Sequence, residues 1–305
     1  MEYETVSKIL GDLAEMNTRE VIFLGEGEPL LHPRFFDIVS EAKQRGFRIT
    51  AYTNGTLLNH QRAEELVISG LDRLKVSFWA SNEDSYGKQY PNSKSGQFTA
   101  ILEGIHALNE MKRRKNASFP QVFMHFPISK SNHIELEDIV GLAEELNVDG
   151  LTVAPVFSVD DRLNHLQFPP SLINHTISLL EGLEPRLKKA GIEHNFPDLK
   201  VCLRFGNDVW NYMPCYIGFF HAKIGIDGSV HPCCRCNFPI GNLHDQRFRS
   251  IWGSENYRQL RSTMMSTAGF KSFIQDNQCV CTYCSSIPNN NRMFKVARRL
   301  PYCGG

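Results

Sequence analysis

The strongest constraint on the fold is a rhythm that runs through the first half of the chain, in which short apolar strands alternate with amphipathic helices. Val6, Ile9, Leu10 and Leu13 recur at i, i+3, i+4 and i+7, one face of a helix, and lead into the apolar run Val21-Ile22-Phe23-Leu24. Helices predicted near 33–45 and 60–69 precede strands at Arg48–Tyr52 and Arg73–Trp79. A helix bearing Ile101, Ile105, Leu108 and Met111 precedes Val122–Phe126. Asn132, with Glu135 three residues on, reads as a capping-box-like start to a helix carrying Ile139, Leu142, Ala143 and Leu146, and a strand at Leu151–Pro155 closes the series. Parallel strands require crossover connections and are covered on both faces, so this alternation means a parallel sheet under helices. The pattern is compatible with an open doubly wound sheet or a partial barrel. Both gather ligands at the carboxyl ends of the strands.

The remaining third has a different character. All nine cysteines lie beyond position 201: Cys202, Cys215, Cys233, Cys234, Cys236, Cys279, Cys281, Cys284 and Cys303. An odd number, in a chain whose start MEYETVSKIL carries charges where a signal peptide needs an apolar stretch, argues for metal or redox chemistry over a disulfide framework. A cytoplasmic location is expected, since no run approaches the ~18 apolar residues of a membrane span. With 305 residues, 42% of them hydrophobic, the chain is long enough for one large domain and a smaller one. The boundary falls where the composition shifts, giving domains 1–195 and 196–305. Lys+Arg and Asp+Glu are equal at 33 each, so charge favours neither nucleic acid nor membrane as a partner. The basic group Arg292, Lys295, Arg298 and Arg299 reads as a solvated helix face.

Strand ends carry the next signal. Gly25-Glu26-Gly27-Glu28-Pro29 follows the first visible strand, with glycines that let a ligand approach the backbone and a Glu28 carboxylate suited to an ammonium group. Tyr52-Thr53-Asn54-Gly55-Thr56-Leu57-Leu58 follows the next, and Val76-Ser77 ends the third. In this order and spacing the three strand ends resemble the radical S-adenosylmethionine (SAM) superfamily. The resemblance implies a partial (β/α)6 barrel. It also implies that the loop Gly27-Glu28-Pro29 receives the amino group of SAM, that Ser77 lies near its ribose or carboxylate, and that Thr53 and Asn54 face the same cavity. Asn132 matches a common position of the family too, although helix capping accounts for it.

One departure is plain: family members carry Cys-x3-Cys-x2-Cys after their first strand to hold the [4Fe–4S] cluster that cleaves SAM, and here no cysteine precedes Cys202. The first strand and its cluster loop are expected to be missing, as in a truncated chain, and the chain as given is not expected to generate a radical.

The cysteine-rich region supplies two pieces of a soft-metal site. Cys215-x12-Gly228-x4-Cys233 contains Asp227-Gly228, predicted as a two-residue hairpin turn between 222–226 and 229–231, and Cys281-x2-Cys284 is the second piece. These spacings are similar to the SPASM/Twitch domains appended to radical SAM enzymes. Ile240-Gly241-Asn242-Leu243, Ile251-Trp252 and Tyr257–Arg261 also resemble the stretch between the two pieces. The seven-cysteine SPASM pattern is not met, so one auxiliary [4Fe–4S] cluster on Cys215, Cys233, Cys281 and Cys284 is expected. Cys233-x2-Cys236 with Cys281-x2-Cys284 is also an acceptable zinc set. Cys202, Cys234 and Cys279 read as small buried hydrophobes, and His221, His231 and His244 as ordinary histidines.

The implied function is hydrogen abstraction from a peptide or small-molecule substrate by a radical SAM enzyme, with an electron donor such as flavodoxin or ferredoxin and no named general base. A non-catalytic metal- or SAM-binding protein and a zinc-stabilised interaction module are the alternatives.

Overall fold

The computed structural model describes residues 1–25, 27–156, 165–206, 208–236, 238–277 and 279–297. Cys303, Arg298 and Arg299 lie outside them. Contacts divide the chain into two compact units, one of residues 2–156 and 168–196, the other of Met1, 157–167 and 197–305.

The first unit alternates as the sequence pattern requires: α1 (Tyr3–Glu15), β1 (Glu20–Phe23), α2 (Phe35–Gln44), β2 (Arg48–Thr53), α3 (His60–Ile68), β3 (Arg73–Ser77), α4 (Glu83–Gln89), α5 (Gln97–Arg114), β4 (Gln121–Ile128), α6 (Leu136–Glu145), β5 (Gly150–Pro155), α7 (Ile173–Ala190) and β6 (Glu193–His194). All six strands are parallel and stand in sequential order β1 to β6. A doubly wound sheet reverses its strand order at a switch point; this one never does, which is the winding of a barrel left open.

Alternation within the strands sorts two faces. Ile49, Ala51, Leu74, Val76, Val122, Met124, Leu151 and Val153 are buried under the helices. The opposite face is polar, with Thr50, Tyr52, Arg73, Lys75, Ser77, Gln121, His125 and Thr152 among its members. Aspartates pin the strand starts: Asp72 accepts the Ile49 N–H at 2.7 Å and Asp149 that of Val122 at 2.7 Å. Two residues were too few for β6 to show a pattern. Its pairing is completed by the Asn195 side chain, which accepts from Val153 N (2.9 Å) and donates to Val153 O (2.8 Å), mimicking one more rung.

The predicted capping box at Asn132 and Glu135 does not form. Asn132 is fully buried, and there its amide must serve strand-end backbone. Its Oδ1 accepts from Ser129 N (2.7 Å) and Ser129 Oγ (3.0 Å), while Nδ2 donates to Trp79 O and Pro127 O, both at 3.0 Å. Glu135 accepts from Ser81 N (2.6 Å) and from the hydroxyls of Ser81 and Ser85, both at 2.8 Å. Together they tie the exit of β3 to that of β4.

In the second unit α8 (Phe196–Phe205), whose first residue belongs to the first unit, precedes a three-stranded antiparallel sheet of β7 (Lys223–Ile224), β8 (Ser229–His231) and β9 (Gly241–Asn242). Helices α9 (Phe248–Trp252), α10 (Glu255–Met264), α11 (Thr267–Asp276) and α12 (Ile287–Ala297) follow. The β7–β8 turn is longer than predicted. Gly225 N donates to Ser229 O at 2.8 Å and Gly228 N to Gly225 O at 3.1 Å, so the loop is the three residues Ile226-Asp227-Gly228. Gly228, at φ +79°, supplies the left-handed residue that such a loop needs.

Candidate functional site

The strand-end residues lie in the first unit. Glu28 caps the short turn Pro29–Leu31, accepting from Leu30 N at 3.1 Å through one oxygen and from Asn54 N at 2.8 Å through the other. One carboxylate thereby fastens the loop after β1 to the loop after β2, and its remaining lone pairs stay available to a ligand cation. Gly27 is exposed, and a Cβ there would meet nothing within 4 Å, so packing does not demand glycine at this position. Asn54 is exposed and its Oδ1 accepts from Thr56 N and Thr56 Oγ1 at 2.9 and 2.7 Å. Ser77 is half-buried on the polar face, opposite His125 in register.

Thr53 stands apart from the other strand-end residues. It is 3% exposed, alternates with Ile49 and Ala51 toward the helices, and its hydroxyl accepts from Gly55 N at 3.0 Å. Its side chain shapes the loop rather than sharing the face of Asn54. Gly55 is required twice over, by φ +79° and by Ile101 and Val76 atoms at 2.8 and 2.9 Å from where a Cβ would sit.

Below Ser77 the polar face carries a cluster that sequence reading did not single out. The Lys75 ammonium lies 5.4 Å from the ring centres of both Tyr52 and Phe123, and Tyr52 meets the His125 ring edge-to-face at 5.4 Å. Burial, then the neighbouring Arg73 charge, holds the Lys75 amine below its ordinary range. Burial, then Lys75, lowers His125 to about 4, and its Nδ1 lies 3.0 Å from Thr152 Oγ1. The imidazole is therefore neutral at pH 7.

The cysteine site lies in the second unit. Cys215, Cys233, Cys234, Cys236, Cys279, Cys281 and Cys284 all line one cavity, whose wall also includes Arg235 and the apolar Trp210, Ile217, Met264, Phe270 and Phe273. The four cysteines selected by spacing are thus brought together. Cys236, named by the zinc spacing, joins them with Cys234 and Cys279; Cys279 is buried as expected, but Cys234 is exposed and so is not the buried hydrophobe its residue type suggested. Cys202 lies outside this lining; its thiol donates to Cys284 O at 3.3 Å.

Burial raises the Cys215 and Cys233 thiols well above their ordinary range and pushes Cys281 up to about 12. Cys236 and Cys279 sulfurs are 2.6 Å apart. Their hydrogen bond lowers Cys236 and raises Cys279. Among the described residues no three Cys, His, Asp or Glu side chains converge closely enough to hold a single metal ion.

Second-rank groups hold this cavity in shape. Trp210 Nε1 donates to Cys281 O at 3.2 Å, and Asn290 Oδ1 accepts from Tyr216 N beside Cys215. Arg235, set among the cysteines, donates to the carbonyls of Val280, Thr282 and Tyr283.

Known protein families resemble both parts of the chain. Residues 1–143 match the sequence model of the radical SAM superfamily, and residues 215–285 match that of an iron–sulfur cluster-binding domain, SPASM. The chain is therefore similar to the radical SAM superfamily in its first part and to SPASM domains in its last. The strand ends above belong to the radical SAM match and the cysteine cavity to the SPASM match. Over 282 residues the chain is 26% identical to a tungsten-containing aldehyde ferredoxin oxidoreductase cofactor-modifying protein of Pyrococcus furiosus, covering 86% of this chain and 75% of that protein. It is 27% identical over 273 residues to an AdoMet-dependent heme synthase of Methanosarcina barkeri, covering 80% and 71%.

Solved structures agree on the fold. Streptococcus suis SuiB bound to S-adenosylmethionine superposes with a TM-score of 0.63 at 15% identity, over 85% of this chain and 60% of that one. The enzyme anSMEcpe with bound AdoMet and Cp18Cys peptide gives 0.65 at 13%, over 98% and 92%. The first unit is accordingly a partial TIM-like barrel. These relatives are enzymes, and no described helix is long and apolar enough to cross a membrane.

Proposed function

We propose that this chain works in hydrogen abstraction from a peptide or small-molecule substrate, with one auxiliary [4Fe–4S] cluster held by Cys215, Cys233, Cys281 and Cys284. The cysteine-lined cavity is the observation that carries the reading. Its donors are all soft sulfurs, its remaining wall is largely apolar, and burial pushes the Cys215, Cys233 and Cys281 thiols toward the protonated form. Thiols spread around a cavity suit a cluster, in which each iron takes its own thiolate, better than the common point that a zinc ion needs.

In the same reading SAM is held at the barrel strand ends. Glu28 takes the amino group, Gly27 and Pro29 shape the approach, and Asn54 and Ser77 face the rest of the molecule, with Thr53 supporting the loop. Bound SAM would supply the radical chemistry of the family once an electron cleaves it reductively. The nine cysteines contain no Cys-x3-Cys-x2-Cys. Peptide binding by one structural neighbour and heme synthesis by one relative leave both substrate classes in play. An electron donor such as flavodoxin or ferredoxin and a cytoplasmic location complete the proposal, and the eight described cysteines are all free of disulfides.

Anaerobic reconstitution with iron and sulfide counts tests it. Cys215→Ala should lose the cluster and Cys236→Ala should keep it. Iron lost only in the latter would replace this ligand set, and a colourless protein with about one zinc would replace the cluster itself.

A further inference from the structure

Arg235 sits in Cys233-Cys234-Arg235-Cys236, lines the same cavity as Cys281-x2-Cys284, and is only 8% exposed. Its guanidinium reaches three carbonyls around that second loop. Nη1 donates to Val280 O at 3.3 Å and Thr282 O at 2.8 Å, and Nη2 donates to Tyr283 O at 3.2 Å. Val280 N returns a bond to Arg235 O at 3.2 Å. The grip therefore closes on both sides of Cys281 and stops one residue short of Cys284.

What is gripped is strained. Tyr283, between the two cysteines, has φ +51°, a conformation unfavourable for a bulky L-residue that persists only where its surroundings impose it. The Arg235 bond to its carbonyl is such an imposition. The fork geometry of guanidinium, with several donors in one plane, suits the task as an ammonium would not.

A fixed cation in the wall of a buried thiolate site has a second effect. Cluster potentials respond to local net charge and to exposure, and reduction adds negative charge, which a neighbouring cation in a low-dielectric wall favours. We propose that Arg235 positions the Cys281–Cys284 loop and raises the reduction potential of the auxiliary cluster bound there. This rests on the reading that the cavity holds an iron–sulfur cluster.

The test uses the reconstituted full chain as wild type, Arg235→Gln and Arg235→Lys, with iron and sulfide counts, the rate of iron loss to a chelator, and the midpoint potential from an EPR-monitored redox titration. Glutamine removes the charge and most of the grip; lysine keeps the charge and loses the fork. The midpoint should move to lower potential in Arg235→Gln and stay near wild type in Arg235→Lys, while both variants release iron faster. An Arg235→Gln midpoint equal to wild type, or an Arg235→Lys midpoint displaced as far as Arg235→Gln, overturns the inference. Should Arg235→Gln hold no iron, Arg235→Lys decides: a loaded cluster at near-wild-type potential supports the role of charge, and failure to load overturns it. A wild-type protein that binds no cluster overturns the underlying reading, which is a separate result.

Discussion

Replacing Asn132 by alanine should loosen the joined exits of β3 and β4, although Asn132 itself is offered no role in chemistry. Four hydrogen bonds of 2.7–3.0 Å end on its amide. Alanine leaves the Ser129 N–H, in a fully buried residue, without its acceptor, a loss of about 2 kcal/mol. The bonds to the carbonyls of Trp79 and Pro127 add ~0.5 kcal/mol each, for a total near 3 kcal/mol. In a unit of this size that lowers the melting temperature by roughly 6–12 °C. Asn132→Asp should cost more, because it turns a carboxylate oxygen toward two carbonyls. Urea unfolding followed by circular dichroism measures the loss, and hydrogen exchange in peptides covering 77–82 and 127–133 locates it. A change below about 1 kcal/mol with unaltered protection of those peptides would show that the amide does not hold the strand exits.

Two glycines should behave oppositely. Gly27→Ala should leave stability unchanged and weaken SAM binding in equilibrium dialysis, since only a ligand meets the added methyl, whereas Gly55→Ala should destabilise by about 2 kcal/mol through its φ and the Ile101 and Val76 contacts. Unaltered SAM affinity in Gly27→Ala would remove that loop from the binding site. His125 titrates near 4 when folded against about 6.5 unfolded, so the unfolded chain binds the extra proton. Its contribution of about 3 kcal/mol is complete above pH 6.5 and is lost as pH falls from there through 4. Urea stability of His125→Asn between pH 7 and 4 should fall less steeply than wild type, and parallel curves would contradict the burial of the imidazole.

Legibility followed the range of the interaction. β2 to β5 could be read because their apolar alternation is local, and Glu28 because a Gly-Glu-Pro turn is a compact signal. β1 was also visible, yet Ile22 and Leu24 are 43% and 56% exposed, since β1 is the sheet's edge and its burial depends on neighbours in space. Asn132 was misread as a helix cap for a related reason: its spacing to Glu135 is a local pattern, whereas its partner Trp79 lies 53 positions away. Arg235 closes on a loop 45 to 48 positions further along, and nothing within a short window marks such a residue. Among the cysteines, spacing pointed to four, while the return of the chain set seven around the cavity.

The cysteine cavity also bears on how the second unit assembles. Its cysteines come from segments near 215, 233–236 and 279–284, and the brace from Asn290 to Tyr216 spans 74 positions. Short strands and helices of this unit can form early, but the wall exists only after long loops have closed, which is an entropic cost met late in folding. A cofactor that binds thiolates from all three segments joins them as a multi-way cross-link, so loading and completion of the tertiary structure become one thermodynamic event. Removing iron should therefore unfasten the unit as a whole, in the way that cutting several staples at once does, rather than leave an empty but finished cavity.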